Sequence, residues 1–149
     1  MIKAINVKLK KTAREVLQIQ LPAYQIEAQL INFYEIPPLK DTVETIQASE
    51  EQFFGYFIEN QLVGFISLEE TEKNINICRM VVHPSFFRKG IAKKLVHYVL
   101  HAIKGSKKIT VMTGEKNYPA KNLYLSLGFV EVKIIEVADG IFLTSFEKK

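Results

Sequence analysis

Cysteine, tryptophan and long apolar runs are scarce or absent in the sequence. The one cysteine, Cys78, cannot form a disulfide within the chain, and no run approaches the roughly 20 apolar residues of a membrane-spanning helix. The first residues lack the basic segment and apolar run of a signal peptide, so we expect a cytoplasmic protein with no membrane partner. No fixed-period repeat and no Gly-, Ser- or Pro-rich linker divides the chain, which predicts a single domain over residues 1–149.

The composition is that of an ordinary globular domain. Of the 149 residues, 48% are hydrophobic and 24% are charged. A chain of this length buries roughly 68–70% of the surface that its unfolded form exposes, so its core needs no metal or disulfide for stability. The net charge of +4 suits an anionic partner, either nucleic acid or a phosphorylated small molecule. Nucleic acid is not expected, because the lysines are not interleaved with aromatic residues as in single-strand binders.

The first third of the chain predicts one strand followed by helices. Apolar and polar residues alternate over 5–10, which indicates a half-buried strand. Thr12 and Glu15 have the spacing of a capping box, so a helix should start there. Pro22 should kink or restart this helix, whose second part runs to about Ile31.

The middle and end of the chain alternate strand-like and helix-like patterns. Ile36-Pro37-Pro38-Leu39 should not be helical, because each proline pushes its predecessor toward extended geometry. The further elements that we predict are a helical turn at 41–46, a hairpin of strands 53–58 and 62–68, a strand at 75–82, a helix from Gly90 to Gly105, a strand at 108–112, a helix at 119–127 ended by Gly128, and two strands flanking 138–140. This order predicts an α+β fold with helices on both faces of one mixed sheet.

A basic loop joins the predicted strand at 75–82 to the helix that opens at Gly90. Small residues, Gly90 and Ala92, let a ligand approach the backbone there, and the free amides of a first helical turn attract anions. The basic residues Arg88, Lys89, Lys93 and Lys94 add positive charge around the same place. The segment therefore suits a diphosphate, although the same pattern also describes an ordinary solvated helix start.

Two motifs about thirty residues apart carry a family resemblance. The first, at 87–92, places Gly90 and Ala92 after a strand that ends in Val-His-Pro, and the second, at 117–129, reads Asn-x-x-Ala-x-x-Leu-Tyr-x-x-x-Gly-Phe. Together they resemble the GNAT superfamily of N-acetyltransferases over the chain from about Leu62 to its end. The first 50 residues share with that family only the order strand, helix, helix.

The resemblance implies a fold and an activity. The fold would be a central, mixed, mostly antiparallel sheet of about seven strands that splays between its fourth and fifth strands. The activity would be direct transfer of the acetyl group of acetyl-coenzyme A to a primary amine of a small molecule or peptide, without a covalent enzyme intermediate and without a metal. The alternative is a domain that binds acetyl-coenzyme A as a sensor or structural ligand.

The resemblance also assigns roles to individual residues. The backbone of Met80, Val81 and Val82 would hold the pantetheine arm like an added strand, and Asn117 would help to fix it. The amides of the loop and first helical turn would hold the pyrophosphate: Phe87, Arg88, Lys89, Gly90, Ile91, Ala92 and Lys93. Tyr124 would act as the general acid that protonates the departing thiolate.

Two positions depart from the family pattern. Phe87 stands where relatives have Arg or Gln, so one polar contact to the phosphates is missing, while the backbone amides are unaffected. Asn76 and Cys78 stand where many relatives have a Glu or His as general base, and neither is a conventional base. Their place would fall to a water chain or to a carboxylate, for which the candidates are Glu27, Glu35, Glu69 and Glu70. We favour Glu27, because it lies on the helix that would face the acceptor.

Several residues also have a plainly structural interpretation. Tyr124 lies on an apolar helical stripe that favours a core position, and Cys78 is typical of a small buried strand residue. His97 and His101 have the spacing of a metal pair, but the lysines on the same face favour a solvated basic stripe. The proline segment 35–41 is either a rigid wall of the acceptor site or a connector. The last strand, 141–146, could supply an edge for a homodimer.

Overall fold

A computed structural model describes all residues, Met1–Lys149. The elements in chain order are β1 (Ile2–Ile5), α1 (Lys10–Ile31), α2 (Val43–Gln47), β2 (Gln52–Ile58), β3 (Gln61–Glu70), β4 (Asn74–Val82), α3 (Ile91–Tyr98), β5 (Lys108–Gly114), α4 (Tyr118–Ser126), β6 (Val130–Ala138) and β7 (Ile141–Lys148). The strands form one seven-stranded sheet in the order β1-β2-β3-β4-β5-β7-β6. All neighbouring strands are antiparallel except β4 and β5, which are parallel.

The sheet has helices on both faces, each over its own apolar core. A cluster that includes Leu95 and Phe146 lies under α3 and α4, and a second that includes Val16 and Ile46 lies under α1 and α2. Neighbouring residues of β3 contribute to opposite clusters, as alternation along a strand requires. The predicted α+β fold with a mixed, mostly antiparallel sheet is thus confirmed.

A gap opens between β4 and β5. The two strands pair only from Asn74–Ile77 against residues 108–111. Beyond this point β4 stays paired with β3 through Val82, after a register shift beside Cys78, while β5 stays paired with β7 through Gly114. One side of the β4 backbone over residues 78–82 therefore has no strand partner, which creates the splay expected from the resemblance.

The start of the chain departs from the predicted pattern. The first strand is β1, and the alternation over 5–10 was wrong as a strand, because pairing with β2 ends at Ile5. Val7 is nevertheless buried against α1. Thr12 and Glu15 form no capping box, since α1 already begins at Lys10 and its cap residue, Leu9, makes no side-chain bond.

Prolines are tolerated in two helical turns that we predicted to be broken. α1 does not restart at Pro22, because its buried residues on both sides of the proline, from Ala13 to Ile31, hold one continuous helix against the sheet. Pro37–Lys40 forms a 3-10 turn, in which the prolines take the first positions, where a helix needs no N–H donor. α2 follows later than expected, capped reciprocally by Thr42 and Thr45.

The β2–β3 hairpin forms without glycine. Glu59 and Asn60 both adopt left-handed backbone angles, with φ of 49° and 66°, which gives the tight turn that matches the twist of the strands. At the other end of the sheet, β7 lies between β5 and β6, so the prediction that residues 141–146 form an edge was wrong. The edges are β1 and β6. None of the helices is long and apolar enough to cross a membrane.

Candidate active site

The loop between β4 and α3 ends in free backbone amides. A 3-10 turn over Pro84–Phe86 leads into two left-handed residues, Arg88 with φ of 64° and Gly90 with φ of 78°. The first bond of α3 runs from the Lys94 N–H to the Gly90 carbonyl at 3.1 Å, so the preceding N–H groups of the first turn have no partner in the helix. A side chain added at Gly90 would meet nothing within 4 Å, so the space over these amides is open.

The side chains of this loop supply charge around the amides. Phe87 is 42% exposed and brings no polar group, as expected from its departure from the family pattern. Lys89 lies over the Phe86 ring at 5.8 Å, and the Lys94 ammonium donates to the Tyr56 hydroxyl at 3.4 Å. Ile91 is buried in the core, so only its backbone faces the loop. Free amides, a glycine without obstruction and nearby lysines fit a diphosphate.

The free side of β4 lies next to this loop. Met80, Val81 and Val82 pair with β3 on one side, and their backbone groups on the other side face the gap. Val81 and Val82 are buried on opposite faces of the sheet, which holds this part of the strand in place. A ligand in extended conformation can therefore bond to this strand edge as a further strand would.

Asn117 links the two faces of the sheet across the gap. It caps α4, accepting from the Ala120 N–H at 3.3 Å through Oδ1. Its Nδ2 donates to Oε1 of Glu27, on α1, at 2.6 Å. Asn117 is 7% exposed, so this bond is largely shielded from water.

Tyr124 combines a core ring with an uncommitted hydroxyl. The residue is 2% exposed, and its ring packs edge-on to Phe129 at 5.3 Å and against Phe146 at 5.9 Å. Its hydroxyl makes no hydrogen bond within the chain. Burial raises the pKa of Tyr124, and the nearby Glu27 carboxylate raises it further. The core interpretation of the ring is thus correct, and it leaves the hydroxyl protonated and available.

Glu27 lies beside both tyrosines of the gap. Burial raises the pKa of Glu27, and the hydrogen bond from Asn117 opposes that rise. Tyr24, one turn earlier on α1, has its pKa raised by burial and then by the Glu27 charge, which also places its hydroxyl nearby. The Glu27 carboxylate, on α1, and the Tyr124 hydroxyl, on α4, therefore lie near enough for the charge of one to act on the other, although the two helices pack on opposite faces of the sheet.

Two of the other three candidate carboxylates form ion pairs, and the third, Glu69, lies beside Cys78. Glu35 pairs with Lys40 at 3.0 Å, and Glu70 pairs with Lys107. Asn76 accepts from the Thr110 hydroxyl at 2.8 Å.

The Cys78 thiol is neither a base nor a nucleophile at neutral pH. Burial raises the pKa of Cys78 to about 12, with further contributions from Glu51 and Glu69. These three side chains place their polar atoms within 4.8 Å of one another, a grouping that no sequence spacing indicated.

His97 and His101 stack on each other. Their ring centroids are 3.9 Å apart, and both residues are exposed. His97 lies in α3, and His101 lies in the π-helical turn Val99–Ile103 that continues it.

No sequence pattern pointed to Arg79, which anchors the proline turn to the sheet. Its guanidinium donates to Asp41 at 2.9 Å, to Gln20 at 2.9 Å and to Glu51 at 3.0 Å. Gln20 in turn donates to the Pro38 carbonyl at 2.9 Å. The segment at 35–41 is therefore held rigidly over the α1 face, beside Tyr24.

Replacing Arg79 with methionine should lower the free energy of unfolding by about 3–5 kcal/mol, because Asp41 and Glu51 would remain mostly buried without a cation. Their side chains are 16% and 15% exposed, and that of Arg79 is 12% exposed. Lys40→Met is the matched control, since the Lys40–Glu35 pair is 66% and 71% exposed and should contribute about 1 kcal/mol or less. Urea unfolding at pH 7 measures both variants. Equal stability of the two variants would contradict the assigned role of Arg79.

The chain is similar to known proteins over most of its length. Residues 21–149 match the family model described as an acetyltransferase (GNAT) domain. The UPF0157 protein YqkA of Bacillus subtilis (strain 168) is 42% identical over 146 residues, which cover 98% of this chain. The chain spans 43% of the length of that relative.

Solved structures share the fold at low sequence identity. The ribosomal-protein-S18-alanine N-acetyltransferase of Escherichia coli matches 99% of this chain and 91% of its own, with a TM-score of 0.77 and 16% identity. The PaiA N-acetyltransferase of Thermoplasma acidophilum, in complex with coenzyme A, matches 97% of this chain and 98% of its own, with a TM-score of 0.70 and 16% identity.

Proposed function

The chain belongs to the GNAT acetyltransferase family, and on that basis we propose that it is an N-acetyltransferase that moves the acetyl group of acetyl-coenzyme A directly to a primary amine. The gap between β4 and β5 carries the proposal, because it leaves the edge of β4 without a strand partner, and the Glu27 charge acts on the Tyr124 hydroxyl. The acceptor is an amine of a small molecule or a peptide. We further propose that residues 1–149 act as one domain, in the cytoplasm, with neither nucleic acid nor membrane as partner.

Acetyl-coenzyme A would supply a thioester, whose carbonyl carbon is open to attack by an amine. In our proposal the amides from Arg88 to Lys93 hold the pyrophosphate, with charge from Arg88, Lys89 and Lys93 around it. The backbone of Met80–Val82 holds the pantetheine arm along the gap. The open space at Gly90 and the unpaired strand edge support both assignments.

The reaction needs a general base for the acceptor amine and a general acid for the departing thiolate, on opposite sides of the thioester. Glu27 takes a proton from the acceptor ammonium, and the free amine then attacks the thioester carbon. As the carbon–sulfur bond breaks, the Tyr124 hydroxyl gives its proton to the thiolate, and the proton that the new amide nitrogen loses restores the hydroxyl. Because the pKa of Tyr124 is raised, its phenolate does not accumulate.

The raised pKa of Glu27 suits the base. A carboxylate with an ordinary pKa is ionised at neutral pH, but it is a poor acceptor for an ammonium proton because its pKa lies far below that of the ammonium. A raised pKa of Glu27 narrows the difference between these two pKa values. Activity should fall as the pH falls through the pKa of Glu27, because the protonated carboxyl cannot accept the proton. The sensor alternative depends on the absence of a general base at positions 76 and 78. In our proposal Glu27 takes the role of that base.

Calorimetric titration with acetyl-coenzyme A, followed by assays of thiol release on the same sample, tests the proposal. The acceptor panel contains polyamines, amino acids, aminoglycosides and short peptides. We expect binding, and thiol release that depends on one class of amine. Binding without release for every acceptor would favour the sensor, and no binding would contradict the cofactor assignment. Sedimentation of the same sample measures whether the protein is a homodimer, which stays a prediction.

A further inference from the structure

The amide of Asn117 is held in one orientation by its two hydrogen bonds. Its Oδ1 accepts from the Ala120 N–H, which is a donor and cannot face Nδ2. The other end of the amide must therefore present Nδ2, which donates to Glu27 Oε1 at 2.6 Å. This orientation is fixed by the start of α4 and not by Glu27 itself.

The bond also fixes a side chain that would otherwise be mobile. Glu27 has three rotatable side-chain bonds, and on α1 no other hydrogen bond restrains its carboxylate. With Oε1 held by Asn117, Oε2 is the oxygen left to accept a proton. The same α4 carries Tyr124 two turns after its cap, so one helix places the acid and orients the base.

We propose that Asn117 is the positioning residue for the general base, holding Glu27 so that Oε2 faces the acceptor amine across the gap from the Tyr124 hydroxyl. This inference rests on the proposed function. It differs from the pantetheine role that the family resemblance implies for Asn117, because Oδ1 and one N–H of the amide are already engaged within the chain.

Two tyrosines respond to the Glu27 charge. They are Tyr24 from α1 and Tyr124 from α4, and burial raises the pKa of both, so each stays neutral over the working pH range. The hydrogen bond from Asn117 favours the ionised form of Glu27 against burial. Loss of this donor should therefore move the acid limb of the pH–rate profile to higher pH.

Asn117→Ser and Asn117→Asp are the informative variants, because both residues are good helix caps and keep an oxygen for the Ala120 N–H. Serine ends one bond short of Nδ2, and aspartate has no donor there and adds a carboxylate beside Glu27. The acid limb of the pH profile of kcat should move to higher pH, by about one unit in Asn117→Ser and by more in Asn117→Asp. Both variants lose the hydrogen bond that favours ionised Glu27, and aspartate also adds a like charge that disfavours it. Raising the pH should restore kcat, whereas KM for acetyl-coenzyme A should change by less than about threefold.

A purely structural role or a pantetheine role predicts other results. Unchanged pH profiles, with kcat lowered equally at every pH or with a raised KM for acetyl-coenzyme A, would overturn the proposal. In the Glu27→Gln background the Asn117 variants should have no further effect on kcat, because the group that they act on is gone. A full additional loss there would also overturn it.

An NMR titration of the Glu27 side-chain carboxyl in the free protein separates this inference from the proposed function. The midpoint should rise in both Asn117 variants whether or not an acceptor is known. A shifted midpoint in a protein that acetylates no amine would leave the Asn117–Glu27 link standing and contradict the proposed function. An unshifted midpoint in folded variants, as judged by circular dichroism, would reject the link itself.

Discussion

Replacing Gly90 with glutamate is expected to abolish binding of acetyl-coenzyme A. Gly90 has a φ of 78°, and no atom lies within 4 Å of where a Cβ would stand, so the protein can accommodate the side chain at the cost of backbone strain. The new carboxylate would lie at the start of α3, accept from the free amides itself and repel the pyrophosphate. Since each hydrogen bond to a charged group contributes about 1.5–3 kcal/mol, affinity should fall about a hundredfold or more.

Two controls separate the cofactor effect from the strain. Gly90→Ala adds a Cβ without charge, and a left-handed alanine costs roughly 1–2 kcal/mol of stability. Gly140→Glu places the same side chain at a similar φ of 73°, also in open space, but in the β6–β7 turn, away from the loop. Calorimetry should show near-normal binding for Gly140→Glu and none for Gly90→Glu. Normal affinity in Gly90→Glu would remove the pyrophosphate from this loop.

Much of the fold and half of the candidate site can be predicted from local sequence patterns. The strands from β2 onward and the helices α3 and α4 follow from alternation, helical spacing and glycine stops, because these elements depend on neighbours in the sequence. The loop at 87–92 and the Asn117–Tyr124 segment are local in the same sense. The predicted bounds of the first strand were wrong, since the end of β1 is set by where its pairing with β2 ends and not by its own alternation.

The other half of the site depends on contacts between distant residues. Glu27 and Asn117 are 90 positions apart and belong to different faces of the sheet, so no spacing rule connects them. The Arg79 network likewise joins α1, the proline turn and the sheet. Contacts between distant residues also explain Pro22, because the packing of α1 on the sheet overrides the local preference of proline to break a helix.

Tyr124→Phe is expected to lower kcat by about 10²- to 10⁴-fold, the usual contribution of a positioned acid or base. Affinity for acetyl-coenzyme A should change little, because the proposed cofactor contacts are backbone groups of β4 and the loop before α3. Removing a buried hydroxyl usually destabilises a protein because its hydrogen-bond partner is left unpaired. The Tyr124 hydroxyl has no such partner within the chain. The ring contacts with Phe129 and Phe146 are kept, so stability should be nearly unchanged.

A second tyrosine of the same helix is the matched control. Tyr118 is 58% exposed at the start of α4, so Tyr118→Phe makes the same chemical change at an exposed position and should leave kcat near the wild-type value. Steady-state kinetics and calorimetric titration of both variants give the comparison. Wild-type kcat in Tyr124→Phe would exclude Tyr124 as the acid, whereas parallel losses of kcat and affinity would point to a binding role.

The pH dependence of the Tyr124→Phe variant adds an independent check. The acid limb of the wild-type profile reports Glu27, which loses its function as the pH falls through its raised pKa. Removing the phenol should lower the plateau and leave that limb nearly in place, since burial, and not Tyr124, is the main cause of the Glu27 shift. Acid and base then contribute to different parts of one profile, and a large displacement of the acid limb in Tyr124→Phe would show that this assignment of roles is wrong.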